Sequence, residues 1–426
     1  MLVLFIFTSF LCCYIDYRIW HKLTPLMISY IGVFIIVVTH YFIGERLGFV
    51  SIDENVFLYL SIFITVGLIA SLACYCATLF FVTYDLNHHS TNKFYDSSTR
   101  ISVITFSLLI ALLCLYYIIN SWYKLGTLVS EDFEGLLTYG LAGHSFAILV
   151  SLLPFLLKAF FSKKNKYILS LIIFIFLLLF MKQVKYWVMI PLVWMIWYSI
   201  YSGFLKIDFL KSFFISIVCA LMLFLLFFLV YFMKVVLNAQ NQTIDYSILT
   251  YDILIHFFGY LYSGVLTFSA YIEQGVFSSL YPKDILGLFS GPLNVINILV
   301  NNDLMTLDIV RPFVTLNTTS NSVGNVPTLW GTLLISAGYV SFIVYFFVMF
   351  FIYFLQWCAR FSTLAAINYT FLTSFLFFSW FDYYYYLLMP FEVCVFCCIF
   401  YCLFDGREIY KRYVSYTLEE NNANKR

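Results

Sequence analysis

Charged side chains are rare in this sequence, and a few of them stand where a phosphate could be held. Lys182 and Lys185 interrupt two apolar runs in Phe176-Leu-Leu-Leu-Phe-Met-Lys182-Gln-Val-Lys185-Tyr-Trp. Their spacing puts both on one face if the turn continues helically. Two ammonium groups there suit a lipid-linked diphosphate at a membrane surface; the plainer reading is a pair of snorkelling anchors. Arg311, in Asp308-Ile-Val-Arg311-Pro312, carries the forked guanidinium that matches phosphate or carboxylate geometry, unless Asp308 or Asp303 pairs with it.

A second group of residues could move protons. His256 follows Asp252 by four residues, so the two share a helical face. A carboxylate-oriented imidazole can deprotonate a sugar hydroxyl; a surface pair or a packed histidine is the alternative. Glu273, in Ser269-Ala-Tyr271-Ile-Glu273-Gln274, is a further candidate base, and His40 and His144 are lesser ones. Asp382 stands in Ser379-Trp-Phe-Asp382-Tyr-Tyr-Tyr-Tyr386, a pattern shared by sugar-binding surfaces and by interfacial aromatic belts. Glu392 lies near the outer end of the last apolar run, and an intramembrane carboxylate is a functional candidate by default. Cys394, Cys397 and Cys398 contain a Cys-x-x-Cys, but cysteines within apolar runs act as small hydrophobes. No phosphate-binding loop, dinucleotide fingerprint, zinc-protease or nucleophile-elbow motif occurs. The His88-His89 pair has no metal partners nearby in sequence.

These groups need a scaffold, and composition names it. Of 426 residues, 63% are hydrophobic, 22% aromatic and 11% charged, against about 25% charged in soluble domains. So few charges cannot cover a soluble protein of this size. In a bilayer the backbone must satisfy its own hydrogen bonds. A β-barrel would alternate in segments of about ten residues, whereas the apolar runs here are continuous and long enough for helices. The net charge of +1 argues against nucleic-acid binding.

Hydropathy predicts eleven spans, near 1–15, 27–43, 56–83, 101–120, 140–161, 167–181, 187–201, 213–236, 331–355, 364–381 and 387–404. The first lacks the basic flank and small-residue cleavage site of a signal peptide. With the segment after the first span inside, sixteen Lys and Arg fall inside and seven outside, as the positive-inside rule prefers. The expected fold is therefore all-α and polytopic. Residues 1–236 form a bundle of about eight helices, and 237–330 one large extracytoplasmic loop with short interfacial helices. Residues 331–404 form the last helices and 405–426 a cytoplasmic tail. Within the loop, the polar run 313–330 reads as a flexible flap or a ligand-facing segment.

The stretch Asn325-Val-Pro-Thr-Leu-Trp330-Gly331-Thr-Leu-Leu-Ile-Ser-Ala-Gly338-Tyr339-Val resembles the corresponding region of the O-antigen polymerase (Wzy-type) family of bacterial repeat-unit polymerases. There too a polar extracytoplasmic stretch leads into an aromatic-Gly…Gly-Tyr span. Tyr260-Leu-Tyr262-Ser263-Gly264, the Lys-bearing break at 182–185 and the late large loop fit as well. The resemblance implies a GT-C-like glycosyltransferase of the bacterial inner membrane, with its active site facing the periplasm. Such an enzyme joins undecaprenyl-diphosphate-linked oligosaccharides and releases undecaprenyl diphosphate, with no metal or cofactor. A flippase and a chain-length regulator are its implied partners. The candidate site is then His256, Asp252 and Glu273 for the base, with Lys182, Lys185, Arg311, Tyr260, Tyr262, Asn325 and Trp330 for substrate. Related O-antigen ligases carry a histidine where Gly324-Asn325-Val326-Pro327 stands here, which favours polymerase over ligase. A lipid-linked oligosaccharide flippase or other transporter explains the spans but not the large outer loop.

Overall fold

Long apolar runs can hide their backbone amides only in helices, and helices are what they form. A computed structural model describes residues 1–79, 95–128, 130–205, 246–276, 282–300, 311–320 and 322–406, with the isolated positions 225, 228, 229, 232 and 309. Among them, seven helical stretches are long and apolar enough to cross a membrane: Leu2–Trp20, Pro25–Leu47, Glu54–Leu79, Ser97–Leu125, Gly140–Lys163, Leu249–Glu273 and Leu329–Cys358. Four shorter apolar helices accompany them, Lys166–Met181, Tyr186–Tyr201, Thr363–Leu376 and Met389–Phe404. The chain is an all-α, polytopic membrane protein. Each expected span on described residues lies on one of these helices. The span at 213–236 and the tail after Gly406 lie outside the described residues, apart from isolated positions.

In chain order the helices are α1 (Leu2–Trp20), α2 (Pro25–Thr39), α3 (Glu54–Leu79), α4 (Ser97–Leu125), α5 (Glu131–Thr138), α6 (Gly140–Ser151), α7 (Leu153–Lys163), α8 (Lys166–Met181) and α9 (Tyr186–Tyr201). Then come α10 (Tyr246–Glu273), α11 (Pro282–Gly287), α12 (Ser290–Leu299), strands β1 (Val314–Thr315) and β2 (Val323–Gly324), α13 (Leu329–Ala337), α14 (Ser341–Cys358), α15 (Thr363–Leu376) and α16 (Met389–Phe404). They form two compact units. The first draws on Met1–Thr83, Lys206–Phe354 and Phe375–Tyr386, the second on Tyr84–Leu205, Leu355–Ser374 and Leu387–Arg426.

In the first unit, Thr24 caps α2 by accepting from Met27 N at 3.3 Å, with Pro25 in the first turn. After α2 a π-helical turn, His40–Gly44, and a tight turn, Glu45–Leu47, lead to Gly48 at φ 83°. That turn receives the hairpin. Val50 N donates to Leu316 O at 3.0 Å and Thr318 N to Gly48 O at 3.1 Å. Asn317 explains the arrangement. Its Nδ2 donates to Leu47 O at 2.8 Å, and its Oδ1 accepts from Thr319 N and Ser320 N. The polar run expected as a flap is thus largely a hairpin stitched to the end of α2, because an Asn side chain can satisfy a turn's amides.

Helix α10 is one continuous helix of 28 residues in the region read as a loop. Gly264 lets it approach the turn after α15: a Cβ there would sit 2.0 Å from the Trp380 carbonyl oxygen. Gly264 O accepts from Thr328 N at 3.1 Å, and Ser379 O accepts from Leu329 N at 2.8 Å. Elsewhere in this unit the buried carboxylate of Asp16, on α1, accepts from Ser71 of α3 and from Tyr353 of α14. Trp20 Nε1 in turn donates to Ser71 at 2.9 Å.

In the second unit, Asp96 caps α4 and left-handed Gly126 ends it. The span over Gly140–Lys163 is broken into α6 and α7 next to Pro154, which has no amide to donate. Its most apolar window is 78% buried, against 28% for α4, so α6–α7 is the central element and α4 presents apolar side chains outward. Lys158 of α7 meets Asp405 at 2.6 Å, and Tyr95 OH donates to the same carboxylate at 3.2 Å.

Candidate functional site

A polar cluster of the first unit gathers around Arg311. Its Nη1 donates to Asp382 Oδ2 at 2.8 Å, and its guanidinium lies 4.9 Å from the Tyr386 ring centre. Asp382 Oδ1 also accepts from Thr332 Oγ1 at 3.0 Å and from Tyr383 N at 2.6 Å. The two charged side chains are 11% and 4% exposed. Burial alone would lower the guanidinium's pKa. Asp382 first, then Tyr386 and Tyr271, outweigh it and hold the group above its usual value. Arg311 is therefore a fixed cation. Its Nη2 is buried with no hydrogen-bond partner among the described residues.

Local structure explains the position. Arg311 immediately precedes the hairpin, and Tyr271 of α10 donates to Pro312 O at 2.7 Å. Asp382 sits in the turn that Gly264 admits against α10. Thr332 lies in the first turn of α13, which Thr328 caps through Gly331 N at 3.0 Å. Two segments distant from Asp382 in sequence thus converge on its carboxylate. The sequence offered Asp303 and Asp308 as partners for Arg311; both lie outside the described residues, and the partner found is Asp382.

The other residues singled out from sequence divide. Asn325 belongs to this cluster, its carbonyl 3.4 Å from Tyr271 OH. Trp330 is fully buried against Tyr30, with ring centres 4.6 Å apart, and serves as core rather than as an open ligand surface. Tyr262 is likewise buried, packed on His40 and Phe49. Tyr260 is 37% exposed and meets the His256 ring edge-on at 5.2 Å. His256, Asp252 and Glu273 do not form one site. All three lie on α10, and the 17 positions from His256 to Glu273 correspond to roughly 25 Å of helix axis. Asp252 and Glu273 are exposed, and only Glu273 sits at the Tyr271 end of the helix.

The Lys182–Lys185 pair also separates, in the second unit. Gln183 adopts φ 66°, so the helix stops and the two lysines do not share a face. Lys185 is exposed and Lys182 is 0% exposed. The Lys182 ammonium stands 3.5 Å from the Trp187 ring centre and 5.0 Å from that of Phe146. It has no hydrogen-bond partner among the described residues. Burial pushes its pKa down to about 7, against the opposing pull of Cys114, Glu392 and Glu134.

Close to these groups the structure forms a pair that sequence spacing did not select: His144 Nδ1 is hydrogen-bonded to Glu392 Oε1. Both residues lie near the N-terminal ends of their helices, α6 and α16; the signal available in the sequence was the Lys/Arg bias, which expects both ends on one side.

A model for a family of unknown function (DUF6337) matches residues 89–408, more than half of the chain. The match takes in Arg311, Asp382, His144, Lys182 and Glu392, and leaves out α1 to α3. No curated protein and no solved structure matches.

Proposed function

The chain belongs to the DUF6337 family, and we propose that it is a surface-polysaccharide polymerase of the bacterial inner membrane. In this reading it joins undecaprenyl-diphosphate-linked oligosaccharides at the periplasmic face, with undecaprenyl diphosphate as the leaving group. The observation that carries the reading is Arg311. A diphosphate leaving group needs a fixed cation at the membrane boundary, aimed at oxygens whose charge grows as the bond breaks. Arg311 is a permanent cation, fixed through one guanidinium nitrogen by Asp382, with the other nitrogen unpartnered among the described residues. A two-pronged donor of this kind matches paired phosphate oxygens better than an ammonium does. Tyr386 beside it supplies an aromatic ring of the kind a glycan stacks on.

Deleting the gene in a strain that makes a laddered surface glycan tests the reading. The expected product is lipid A core bearing a single repeat unit. An unchanged ladder, or loss of even that single unit, would refute it. Arg311→Ala should reproduce the deletion at normal protein level. Arg311→Lys should recover only a small part of the ladder, because it keeps the charge and loses the fork.

One observation favours a transporter instead. Asp16 is a buried carboxylate held by hydroxyls, with no cation bonded to it among the described residues, a setting that suits proton coupling. A deletion strain that makes no repeat unit at the outer face, yet accumulates it inside, would move the assignment to that class.

A further inference from the structure

Helix α5, in the second unit, is short but firmly seated. Phe133 and Leu137, four residues apart, are both fully buried and pin one face of it. Ser130 caps it by accepting from Phe133 N at 3.1 Å, and Gln183 Nε2 donates to Leu128 O in the loop before it. Asp132, Gly135, Leu136 and Tyr139 follow the i, i+3, i+4, i+7 spacing of another face. With Leu125 and Gly140 they line an open cavity of about 580 Å³, within the size range of ligand sites. A Cβ at Gly135 or Gly140 would meet nothing within 4 Å, so the mouth is unobstructed.

We propose that this cavity holds the headgroup of an amine-bearing zwitterionic phospholipid, of the phosphatidylethanolamine class. Helix α4, whose Leu125 forms part of the wall, has 29 residues, or about 43 Å of helix axis. The hydrocarbon core of a bilayer is about 30 Å thick, so a span of this length carries its ends in among the headgroups. The last turn of α4 bears Trp122 and Tyr123, and the cavity wall bears Tyr139, all three exposed. Exposed Trp and Tyr are the residues of that layer. Nothing in this site depends on the polymerase reading.

Charge selects the headgroup. The Asp132 carboxylate is exposed at the cavity and has no hydrogen-bond or ion-pair partner among the described residues. Lys124, which precedes Leu125 of the wall, is exposed and has none either. One uncommitted anion and one uncommitted cation on neighbouring elements complement a headgroup that carries an ammonium and a phosphate. The ammonium pairs with Asp132 and lies against the Tyr139 ring, whose π-face attracts cations. Lys124 takes the phosphate, and Leu125 and Leu136 meet the first carbons of the acyl chains. A primary ammonium donates charge-assisted hydrogen bonds to the carboxylate, which a quaternary ammonium cannot do. A lipid with no ammonium meets Asp132 and the exposed Glu134 on α5 uncompensated.

The test uses the full-length protein, purified in detergent and stripped of lipid. It is titrated with dioleoyl phosphatidylethanolamine, phosphatidylcholine or phosphatidylglycerol while native mass spectrometry counts the lipid bound. An exposed ion pair and a cation–π contact together amount to about tenfold in affinity. Phosphatidylethanolamine should therefore bind about tenfold more tightly than phosphatidylglycerol, and several-fold more tightly than phosphatidylcholine, which keeps the cation but cannot donate. Asp132→Asn should erase the margin over phosphatidylcholine, and Tyr139→Leu should weaken phosphatidylethanolamine several-fold. Both side chains are exposed, so the lipid-free variants should unfold at the native midpoint. A phosphatidylethanolamine with a photoreactive diazirine at its headgroup should label the segment 124–140. Equal affinity for the three lipids, an unchanged margin in Asp132→Asn, or labelling confined to other segments overturns the proposal. So does displacement of the lipid by an equal concentration of soluble phosphoethanolamine, which would assign the cavity to a water-soluble amine.

Discussion

Removing either partner of the Arg311–Asp382 pair should cost far more than removing both. The side chains are 11% and 4% exposed, so each single substitution leaves a charge desolvated and unmatched. Asp382 accepts three hydrogen bonds, from Arg311, Thr332 and the Tyr383 amide. Asp382→Leu strands all three donors, and Arg311→Met strands the carboxylate. Breaking a buried pair from one side costs about 3–5 kcal/mol, whereas replacing both partners with apolar groups is often close to neutral. The double variant Arg311→Met/Asp382→Leu should therefore be more stable than either single one. The coupling across the cycle should reach about 2–3 kcal/mol. Denaturant unfolding of the purified protein in detergent measures all four forms. Coupling within about 0.5 kcal/mol of zero, the scatter of independent sites, would refute the claim that the two side chains form one buried unit. The double variant separates stability from activity as well: it should fold and still fail to extend glycan, because the fixed cation is gone.

Three further outcomes follow from the same structure. Gly264→Ala should destabilise by about 1–3 kcal/mol, since its Cβ would lie 2.0 Å from the Trp380 carbonyl oxygen; unfolding in detergent checks it, and native stability would show that α10 and the 380–382 turn are not in backbone contact. Lys182 has a folded pKa pushed down to about 7, below its unfolded value. The folded state thus disfavours the proton, and the penalty is full below pH 7 and shrinks as pH rises. Native stability should gain up to about 1.4 kcal/mol per pH unit between pH 7 and 9 from this residue, and Lys182→Met should remove that part of the slope. Asp16→Asn should cost about 1–3 kcal/mol, because an amide cannot accept both hydroxyl donors as a carboxylate does; under the polymerase reading the glycan ladder keeps its length distribution, and its disappearance at normal protein level would argue for proton coupling instead.

The helices were legible because a bilayer imposes a rule that sequence obeys locally: a continuous apolar run satisfies its backbone only as a helix. Breaks within them were legible only in part. Pro154 marks a step between α6 and α7 that the single span expected over 140–161 does not include, and nothing in the spacing of Lys182 and Lys185 announces the left-handed Gln183 that separates them. The run 313–330 reads as a flap or a ligand-facing segment because its composition is that of a loop, and the hairpin at 314–324 within it is not legible in that composition. What organises it is one side chain, Asn317, reaching a turn 270 positions earlier. Helix α10 is expected from sequence as short interfacial helices within a large loop, because its aromatic, amphipathic sequence serves equally for an interfacial helix and for a span.

The candidate site shows the same limit more sharply. His256 and Asp252 attracted notice because a spacing of four residues is visible in a sequence. The pairings the fold builds join Arg311 to Asp382, Lys158 to Asp405 and His144 to Glu392, across 71, 247 and 248 positions. With so few charges buried among apolar helices, each must find a partner at its own depth. Depth follows from span order and the Lys/Arg bias, not from spacing. Sorting charges by the end of the span on which they fall puts His144 with Glu392 at one end and Lys158 with Asp405 at the other. Lys182 is the informative exception. It lies near the His144–Glu392 level, yet aromatic rings take the place of a hydrogen-bonded counterion. A lysine kept there against its own desolvation lies within electrostatic reach of Glu392.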